Sequence, residues 1–353
     1  MALKTANISH FRCLGDVHVE AHPAFNLIVG PNGSGKTSFL ESLYFLGRGR
    51  SFRSTRTRGL VQDGHRRFVV RAELEGAPRF LGVEGGGDAL RIRVDGHAAP
   101  KIDSLVRTLP IQVIEPGIHR LVDAGPAQRR SFLDWGVFHV KHTFLEEWRR
   151  YQRALRQRNA VLRQGGDRAA AAVWEDALIA SGSAIDQLRA TYLEELAPHV
   201  TRITEGLLDD PVEVVYHRGW SSEESLADAL AGSWDRDQKI GITHVGPQRA
   251  DLRLRFADRV ARDRVSRGQQ KLLAAALVLA QVAQVEKDGD RSPILLLDDP
   301  AAELDRRSLG RLLAVTSELP VQQFVTALET AALTDPPDGN VFHVEQGEVR
   351  LVV

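Results

Sequence analysis

Residues 30–38 read GPNGSGKTS and place three glycines just before one lysine, which two hydroxyl side chains follow. The stretch matches the phosphate-binding pattern G-x-x-x-x-G-K-[ST]. Glycines let backbone N–H groups converge on phosphate oxygens, Lys36 supplies a positive charge for the β and γ phosphates, and the Thr37 hydroxyl is a ligand for Mg²⁺. The loop therefore predicts a nucleoside triphosphate with Mg²⁺, and by itself it leaves kinases, GTPases and motor ATPases open; with the partner motifs described below, the predicted cofactors are ATP and Mg²⁺. The predicted nucleotide contacts in this loop are Gly30, Pro31, Asn32, Gly33, Ser34, Gly35, Lys36, Thr37 and Ser38.

The flanking sequence supplies the setting that this chemistry needs. Before the loop, AFNLIVG is a short apolar run that ends in glycine, which is typical of a buried parallel strand. After the loop, KTSFLESLYFLG places Phe39, Leu43 and Leu46 on one helical face. The order strand, glycine loop, helix puts the phosphates at the positive end of a helix dipole. This setting disfavours the alternative, a glycine-rich turn with an incidental lysine.

A second group of reactive side chains lies near the other end of the chain, in PILLLDDPAAELD at residues 293–305. The apolar run predicts a buried strand that carries two acids at its carboxyl end. Asp298 is placed to hold Mg²⁺ through water, and Asp299 to orient or deprotonate a water that attacks the γ-phosphate. For Asp299 the alternative is a helix-capping or loop carboxylate.

The stretch SRGQQKLLAAALVLAQ at residues 266–281 predicts a helix with an apolar stripe. Ser266 and Gln269 form the pattern of a capping box, and capping alone would explain both. The stretch also resembles the signature helix of ATP-binding-cassette ATPases. That resemblance implies that Ser266 and Gly268 reach the γ-phosphate held by a second copy of the protein, and so act in catalysis with Lys36 and Asp299. It also places Asp305, in AELD, in the loop that contacts the dimer partner and its nucleotide.

The elements that must position these residues are separated by most of the chain. Residues 66–96 alternate apolar and polar positions, which predicts an antiparallel meander, and residues from about 128 to 208 have the pattern of two long helices divided near GGD. The last hundred residues return to alternating strands and helices, and we expect the two ends of the chain to share one sheet. The predicted fold class is α/β: an ATP-binding-cassette-type P-loop ATPase head, with a mixed sheet, helices and the meander, and an inserted helical arm. Residues 1–110 and 240–353 are assigned to the head and 111–239 to the arm.

Composition excludes several classes of protein. The chain has 353 residues, of which 43% are hydrophobic, so it can form a sizeable core. One cysteine rules out an internal disulfide framework and fits a reducing compartment. The N-terminal residues lack a signal-peptide pattern, and no apolar run is long enough to span a bilayer. We therefore expect a cytoplasmic protein without a membrane partner.

The motifs together are similar to those of one family. HFRCLG, GPNGSGKTSFLESLYFLGRGRSFR, EPGIHRLVDAGPAQRRSFLDWGVFH, HVGPQRADLRL and the two C-terminal motifs resemble the RecF family of bacterial recombination mediator ATPases, which are SMC-like, over nearly the whole chain. The resemblance implies that Arg12 and Gln112 contact the nucleotide, with Gln112 linking Mg²⁺ to the arm; the alternative for Gln112 is a plain surface strand residue. After the final core strand, QQFVTALE has no histidine where transporters keep a switch residue.

A basic stretch follows the nucleotide motif. From residue 42 to 62 the chain has no acidic residue, and arginines alternate with serines, threonines and glycines in GRGRSFRSTRTRGL. This composition predicts sequence-independent contacts with the DNA backbone. The predicted DNA-binding residues are Arg48, Arg50, Arg53, Arg56 and Arg58. A second arginine run, at residues 149–163, is equally well explained as a solvated helix face.

The sequence thus predicts a slow, DNA-stimulated ATPase of DNA repair, recombination and replication. ATP would close two copies head to tail, and hydrolysis would release them. The resemblance implies that the dimer forms on duplex DNA near single-strand gaps and works with RecR and RecO to load RecA. Two alternatives stay open: the nucleotide-binding subunit of an ATP-binding-cassette transporter, and a DNA-clamping scaffold that does not hydrolyse ATP.

Overall fold

The structure is a computed structural model, and it describes residues 2–54, 56–87, 89–99, 101–256, 259–260, 265–333 and 337–352. The chain forms two compact units. Unit 1 combines the two ends of the chain, Met1–Ile118 and Ala275–Val353, and unit 2 is the central segment His119–Ala274.

Most of the described strands lie towards the two ends of the chain, and the longest helices lie in its central part. The strands are β1 (Leu3–Phe11), β2 (Leu14–Glu20), β3 (Phe25–Val29), β4 (Phe68–Leu74), β5 (Phe80–Gly85), β6 (Arg91–Val94), β7 (His97–Ala99), β8 (Ile111–Ile114), β9 (Val212–His217), β10 (Asp251–Phe256), β11 (Arg259–Val260), β12 (Ile294–Leu297), β13 (Gln322–Ala327), β14 (Asn340–Glu345) and β15 (Glu348–Leu351). The helices are α1 (Lys36–Arg48), α2 (Asp103–Thr108), α3 (Arg120–Asp123), α4 (Pro126–Val140), α5 (Phe144–Arg163), α6 (Arg168–Leu207), α7 (Leu226–Gly232), α8 (Trp234–Ile240), α9 (Arg267–Asp288), α10 (Pro300–Glu303) and α11 (Arg306–Ser317).

A mixed sheet in unit 1 joins the two ends of the chain. Its strand order is β15-β14-β3-β13-β12-β8, and all of its pairs are parallel except β14 with β15. The expectation that both ends share one sheet is therefore confirmed. Because parallel strands end at the same edge of a sheet, the loops that follow β3, β12 and β13 lie side by side.

The second sheet of unit 1 is antiparallel, with the order β2-β1-β4-β5-β6-β7. Its outer strands alternate as predicted: Ile92 is buried, while Arg91 and Arg93 are exposed. The predicted meander is thus confirmed, and β1 and β2 extend it on the other edge.

Helix α1 belongs to the same core as both sheets. The sequence predicts one apolar face, but all its residues except Thr37 and Arg48 are buried. The core cluster around it contains side chains of both sheets, such as Phe68 of β4 and Phe324 of β13. Enclosure on both sides explains why its polar residues are buried as well as its apolar face.

Unit 2 is built around two long helices, as predicted. Helices α5 and α6 pack as an antiparallel pair, since Arg158 binds Glu175 and the backbone of Gly182 lies against Tyr151. The break between them falls at 164–167, where Asp167 accepts a hydrogen bond from the N–H of Ala170. Among the described residues, no helix combines the length and apolarity needed to cross a membrane.

Two parts of unit 2 differ from what the sequence indicates. Arg158 belongs to the second arginine run, yet it is fully buried and pairs with the buried Asp237 at 2.8 Å. Residues 219–240, a polar stretch in which the sequence patterns described above predict no helix, contain two short helices, α7 and α8. The side chain of Ser225 caps α7. Serine is a common N-cap, so the sequence does carry a signal for the start of this helix, but the many polar residues around it make the signal hard to recognise.

Candidate functional site

The loop 30–38 connects β3 to α1. Gly30 is required by the fold, because a Cβ there would lie 2.2 Å from the carbonyl oxygen of Val344. Gly33 has a φ of +80°, which favours glycine, and a Cβ there would meet no described atom within 4 Å. The start of the loop is therefore held close to β14, and the loop borders open space at Gly33.

Lys36 is enclosed by this loop. Its side chain is 6% exposed, and its Nζ donates to the carbonyl oxygens of Gly30 at 2.7 Å and Pro31 at 3.1 Å. The N–H groups of residues 36–38 lie in the first turn of α1, where a helix provides no carbonyl acceptors. That turn also carries no acidic side chain. The loop thus presents an ammonium group and unused N–H donors together, which is the donor set that a phosphate needs.

Ser34 gives independent support for a bound anion. Its Oγ is buried and makes no hydrogen bond with the described residues. An unsatisfied buried hydroxyl costs about 1–3 kcal/mol. The loop therefore contains a buried polar atom that a phosphate oxygen would satisfy, and the residues present fit a nucleotide.

Thr37 and Asp298 meet although they come from opposite ends of the sequence. Asp298 follows β12 and is buried, and its Oδ1 accepts hydrogen bonds from the Oγ1 atoms of Thr37 at 2.9 Å and Thr326 at 3.1 Å. The shared sheet edge explains the meeting, because Thr326 lies in β13 between β12 and the strand that carries the loop. A hydroxyl and a carboxylate here are the ligand types that Mg²⁺ prefers.

No larger metal-binding cluster accompanies this pair. The described part of the chain has no group of three or more His, Cys, Asp or Glu side chains that could hold a metal. A magnesium ion bound with a nucleotide uses only one or two protein ligands, since water and phosphate oxygens supply the rest. Burial raises the pKa of Asp298, while hydrogen bonds from Thr37 and Thr326 and the charge of Arg53 lower it. A divalent cation would offset this penalty of burial.

Asp299 directly follows and has an unusual backbone. Its φ of 47° and ψ of 55° are left-handed, a conformation that costs a non-glycine residue about 1–3 kcal/mol. The hydrogen bond from its N–H to Thr326 Oγ1, at 2.8 Å, helps to hold it there. Asp299 precedes α10, but its side chain makes no capping hydrogen bond. The capping alternative is thus not the geometry observed, and the carboxylate remains available for chemistry.

Gln112 lies on β8 and is buried, so it is not the surface strand residue of the alternative interpretation. Its Nε2 donates to Gln281 Oε1 on α9 at 2.5 Å, and its Oε1 accepts from Arg48 at 3.4 Å. These contacts attach it to α9 and to the end of α1. Its predicted contacts with nucleotide and Mg²⁺ stay predictions.

Arg12 is held by a carboxylate rather than by the loop 30–38. Its Nε and Nη2 donate to Glu41 at 3.0 and 2.8 Å, and its Nη1 donates to Gly59 O at 2.9 Å. Glu41 is fully buried in α1 and also lies 3.6 Å from Arg53. Two arginines that the sequence assigns to different ligands, ATP and DNA, therefore share one carboxylate.

The predicted signature residues lie in unit 2, at the start of α9. The capping box is present: Gln269 N donates to Ser266 Oγ at 3.2 Å, and Ser266 N donates to Gln269 Oε1 at 3.0 Å. Ser266 and Gly268 are both exposed. Among described atoms, a Cβ at Gly268 would meet only Ser266 Oγ, at 3.9 Å, so no contact within these residues requires glycine.

Asp305 caps α11. Its carboxylate accepts hydrogen bonds from the N–H groups of Arg307 and Ser308 and from the Ser308 hydroxyl, which lower its pKa. The dimer contact predicted for Asp305 stays a prediction beside this structural role.

The five predicted DNA-binding arginines are not equivalent. Arg50, Arg53, Arg56 and Arg58 are exposed, whereas Arg48 is half-buried with its guanidinium over the ring of Tyr44. Burial lowers the pKa of Arg48. Arg48 therefore packs beside Gln112, and the other four arginines form the exposed basic surface.

Sequence reasoning missed Thr326 and Glu41. The strand order could have indicated Thr326, because it lies at the carboxyl end of a strand next to the one that carries the two acids. Glu41 follows Thr37 by one helical turn, and its burial depends on Arg12 and the 51–59 segment, which no local pattern reveals.

The mixed sheet, the loop 30–38 with Lys36, and the acid of β12 bonded to Thr37 define an ATP-binding-cassette-type P-loop ATPase head with an inserted helical unit. Comparisons with known proteins agree. The model of the RecF/RecN/SMC N terminal domain matches residues 2–348. The DNA replication and repair protein RecF of Azotobacter vinelandii is 42% identical over 363 residues, covering 99% of this chain and 98% of that protein. The chain belongs to the RecF family.

Solved structures support the same assignment. A structure described as the recombination mediator protein RecF-ATP in the RecFOR pathway superposes with a TM-score of 0.88 at 25% identity, covering 100% of this chain and 98% of that one. An Smc head bound to the C-winged helix domain of ScpA has a TM-score of 0.61 at 15% identity over 100% and 98% of the two chains, and shows the fold alone. The predicted fold class is confirmed.

Proposed function

We propose that this protein is an ATP-dependent DNA-binding ATPase of recombinational repair and replication, whose dimer forms with ATP and opens on hydrolysis. The observation that carries the proposal is the hydrogen bond from Thr37 to Asp298. It joins the phosphate-binding helix to an acid at the far end of the chain, at an edge where Lys36 and Asp299 also lie.

ATP would supply the phosphoanhydride bond that is cleaved, and Mg²⁺ would neutralise phosphate charge. Lys36 would exchange the carbonyl oxygens of Gly30 and Pro31 for phosphate oxygens, and the first turn of α1 would add N–H donors. Thr37 and Asp298 would hold the metal. Asp299 accepts a proton from the attacking water at its carboxylate oxygen, a role that suits a side chain without a capping bond.

A second copy of the chain completes each site through Ser266 and Gly268. A ligand shifts a monomer–dimer equilibrium only through contacts that are better in the dimer, and an exposed serine and glycine at a helix start can provide them. Helix N-termini bind phosphate oxygens, so α9 of one copy fits the γ-phosphate held by the other. Asp305 belongs to the same interface in this scheme.

DNA is the proposed macromolecular ligand because relatives are named for DNA replication and repair. The exposed arginines between residues 50 and 58 suit contacts with phosphates, so binding to duplex near single-strand gaps would be independent of sequence and sensitive to salt. The resemblance to the RecF family adds RecR and RecO as partners in loading RecA, and a cytoplasmic location without a membrane partner.

The ATPase rate, measured with and without gapped duplex DNA, tests this proposal. We expect slow turnover that rises when DNA is added. An ATPase rate that is the same with and without DNA would contradict the proposal and favour a transporter-type subunit. Binding of ATP with no turnover under either condition would leave the scaffold alternative, in which the two acids have no catalytic role.

A further inference from the structure

A buried carboxylate links the nucleotide helix to the basic surface. Glu41 has no solvent exposure and lies one helical turn after Thr37 on α1. It accepts two hydrogen bonds from Arg12, one from the Ser51 hydroxyl, and forms an ion pair with Arg53 at 3.6 Å. A fully buried carboxylate requires such partners, because an unpaired charge inside a protein is strongly unfavourable.

These partners fix both ends of the segment 51–59. At its start, Ser51 Oγ accepts hydrogen bonds from the N–H groups of Arg53 at 2.9 Å and Ser54 at 2.8 Å, so the first turn of the segment is tied to Glu41 through one hydroxyl. At its end, Arg12 donates to Gly59 O at 2.9 Å, and Arg12 N donates to Leu60 O at 2.8 Å. The exposed Arg56 and Arg58 lie between these two anchors.

Of the two guanidinium groups that bind Glu41, that of Arg53 acts electrostatically on the nucleotide site, and Arg12 adjoins a residue that contacts the first turn of α1. The charge of Arg53 stabilises the ionised form of Asp298. Arg12 directly precedes Cys13, whose Sγ lies 3.6 Å from Ser38 Oγ in the first turn of α1. An incoming polyphosphate therefore competes with Glu41 for cations that also hold the segment 51–59 in place.

We propose that Glu41 is a positioning residue that couples nucleotide binding at the loop 30–38 to DNA binding by Arg56 and Arg58, the exposed arginines between the two anchors. The inference rests on the proposed function and adds to it the physical connection between the two ligands. When phosphates draw Arg12 or Arg53 away, Glu41 loses a partner and the 51–59 segment is held by fewer bonds. The free energies of nucleotide binding and of DNA binding then depend on each other through this one carboxylate.

The test measures DNA affinity of the full-length protein with and without ATPγS and Mg²⁺, using a fluorescent duplex that contains a single-strand gap. Nucleotide affinity is measured separately for each variant. In the wild type we expect the nucleotide to change the dissociation constant for DNA by about fivefold or more, as is usual for coupled sites. In Glu41→Gln, which keeps the shape but loses the charge, we expect the change to fall below about twofold, while nucleotide still binds.

Two further variants make the result decisive. Glu84→Gln removes a carboxylate that pairs with Arg67 and Arg91 on the antiparallel sheet, and it should keep the wild-type change. Ser51→Ala removes only the hydroxyl tie, and it should reduce the change even if Glu41→Gln fails to fold. The inference is overturned if ATPγS changes the dissociation constant for DNA as much in Glu41→Gln or Ser51→Ala as in the wild type. It is also overturned if ATPγS does not change that constant in the wild type. Failure of the wild type to bind nucleotide would instead overturn the proposed function.

Discussion

The two halves of the proposed ATP site are built differently. In unit 1, the loop 30–38 and the acids after β12 are joined within the chain, through Lys36 on the loop carbonyls and Thr37 on Asp298. In unit 2, Ser266 and Gly268 are exposed, and the Ser266 hydroxyl accepts a hydrogen bond from its own turn. One half-site is organised by the fold of a single chain, while the other is presented at a surface.

This difference indicates how ATP would act. In the proposed mechanism, the enclosed half-site would bind nucleotide in a single molecule. The exposed half-site would gain its contacts only when another molecule brings a phosphate to it. Glycine at position 268 fits this view, since the described contacts within the chain do not require it. The comparison therefore predicts that variants in the two half-sites have separable effects.

Asp299→Asn should have the largest effect. The amide cannot accept a proton from water, so turnover should fall by about 10²–10⁴-fold, the usual contribution of a general base. ATP affinity should change little, because the assigned role is in the reaction and not in binding. Steady-state hydrolysis and equilibrium binding measure the two quantities. Wild-type turnover in this variant would remove Asp299 from catalysis.

Lys36→Ala should weaken nucleotide binding itself. A hydrogen bond to a charged group contributes about 1.5–3 kcal/mol, so the dissociation constant for ATP should rise about 10- to 150-fold. Calorimetric titration measures it. Lys4→Ala, an exposed lysine of β1 in the same unit, is the matched control. Unchanged affinity in Lys36→Ala would show that the enclosed half-site does not bind phosphate.

Ser266→Asp separates capping from partner contact. Aspartate is as good an N-cap as serine, so the start of α9 should stay stable, but its charge repels a γ-phosphate. ATP-dependent dimerisation should weaken by about tenfold or more, while each chain still binds ATP. Thermal unfolding checks the cap, and sedimentation checks the dimer. If Ser266→Asp dimerises with ATP and unfolds like the wild type, Ser266 only caps α9 and does not contact the partner.

Replacing Arg50, Arg56 and Arg58 with Ala should have the mildest effect. Binding should weaken evenly across DNA sequences, and the slope of log affinity against log salt should fall by about 0.9 for each DNA phosphate that the variant no longer neutralises. Arg53 is left in place because it pairs with Glu41. If the slope of log affinity against log salt is unchanged, these arginines do not contact DNA phosphates and the DNA-binding surface lies elsewhere.

The sequence predicted the parts whose chemistry is local. The loop motif, the paired acids and the capping box each lie within a few residues, and short-range rules identify them. It could not predict that Thr326 bridges Asp298 and Asp299, since that depends on which strands are neighbours. The assignment of 1–110 and 240–353 to a head and 111–239 to an arm stays a prediction.

Charge patterns were the least reliable signal. Arg48 and Arg158 both lie in arginine runs that suggest exposed cations, yet Arg48 packs on Tyr44 and Arg158 is buried beside Asp237. Arginine has a long apolar stem and a planar head, so it can cover aromatic rings or pair with buried acids. Only the neighbouring elements decide between these positions and the surface.

The most direct test of the account is the particle mass by light scattering, with and without saturating Mg-ATP, for Asp299→Asn. The account predicts one chain of 39.0 kDa without nucleotide and twice that mass with it. A mass that stays at one chain when ATP is bound, with gapped DNA present or absent, would contradict the claim that two copies complete each other's sites.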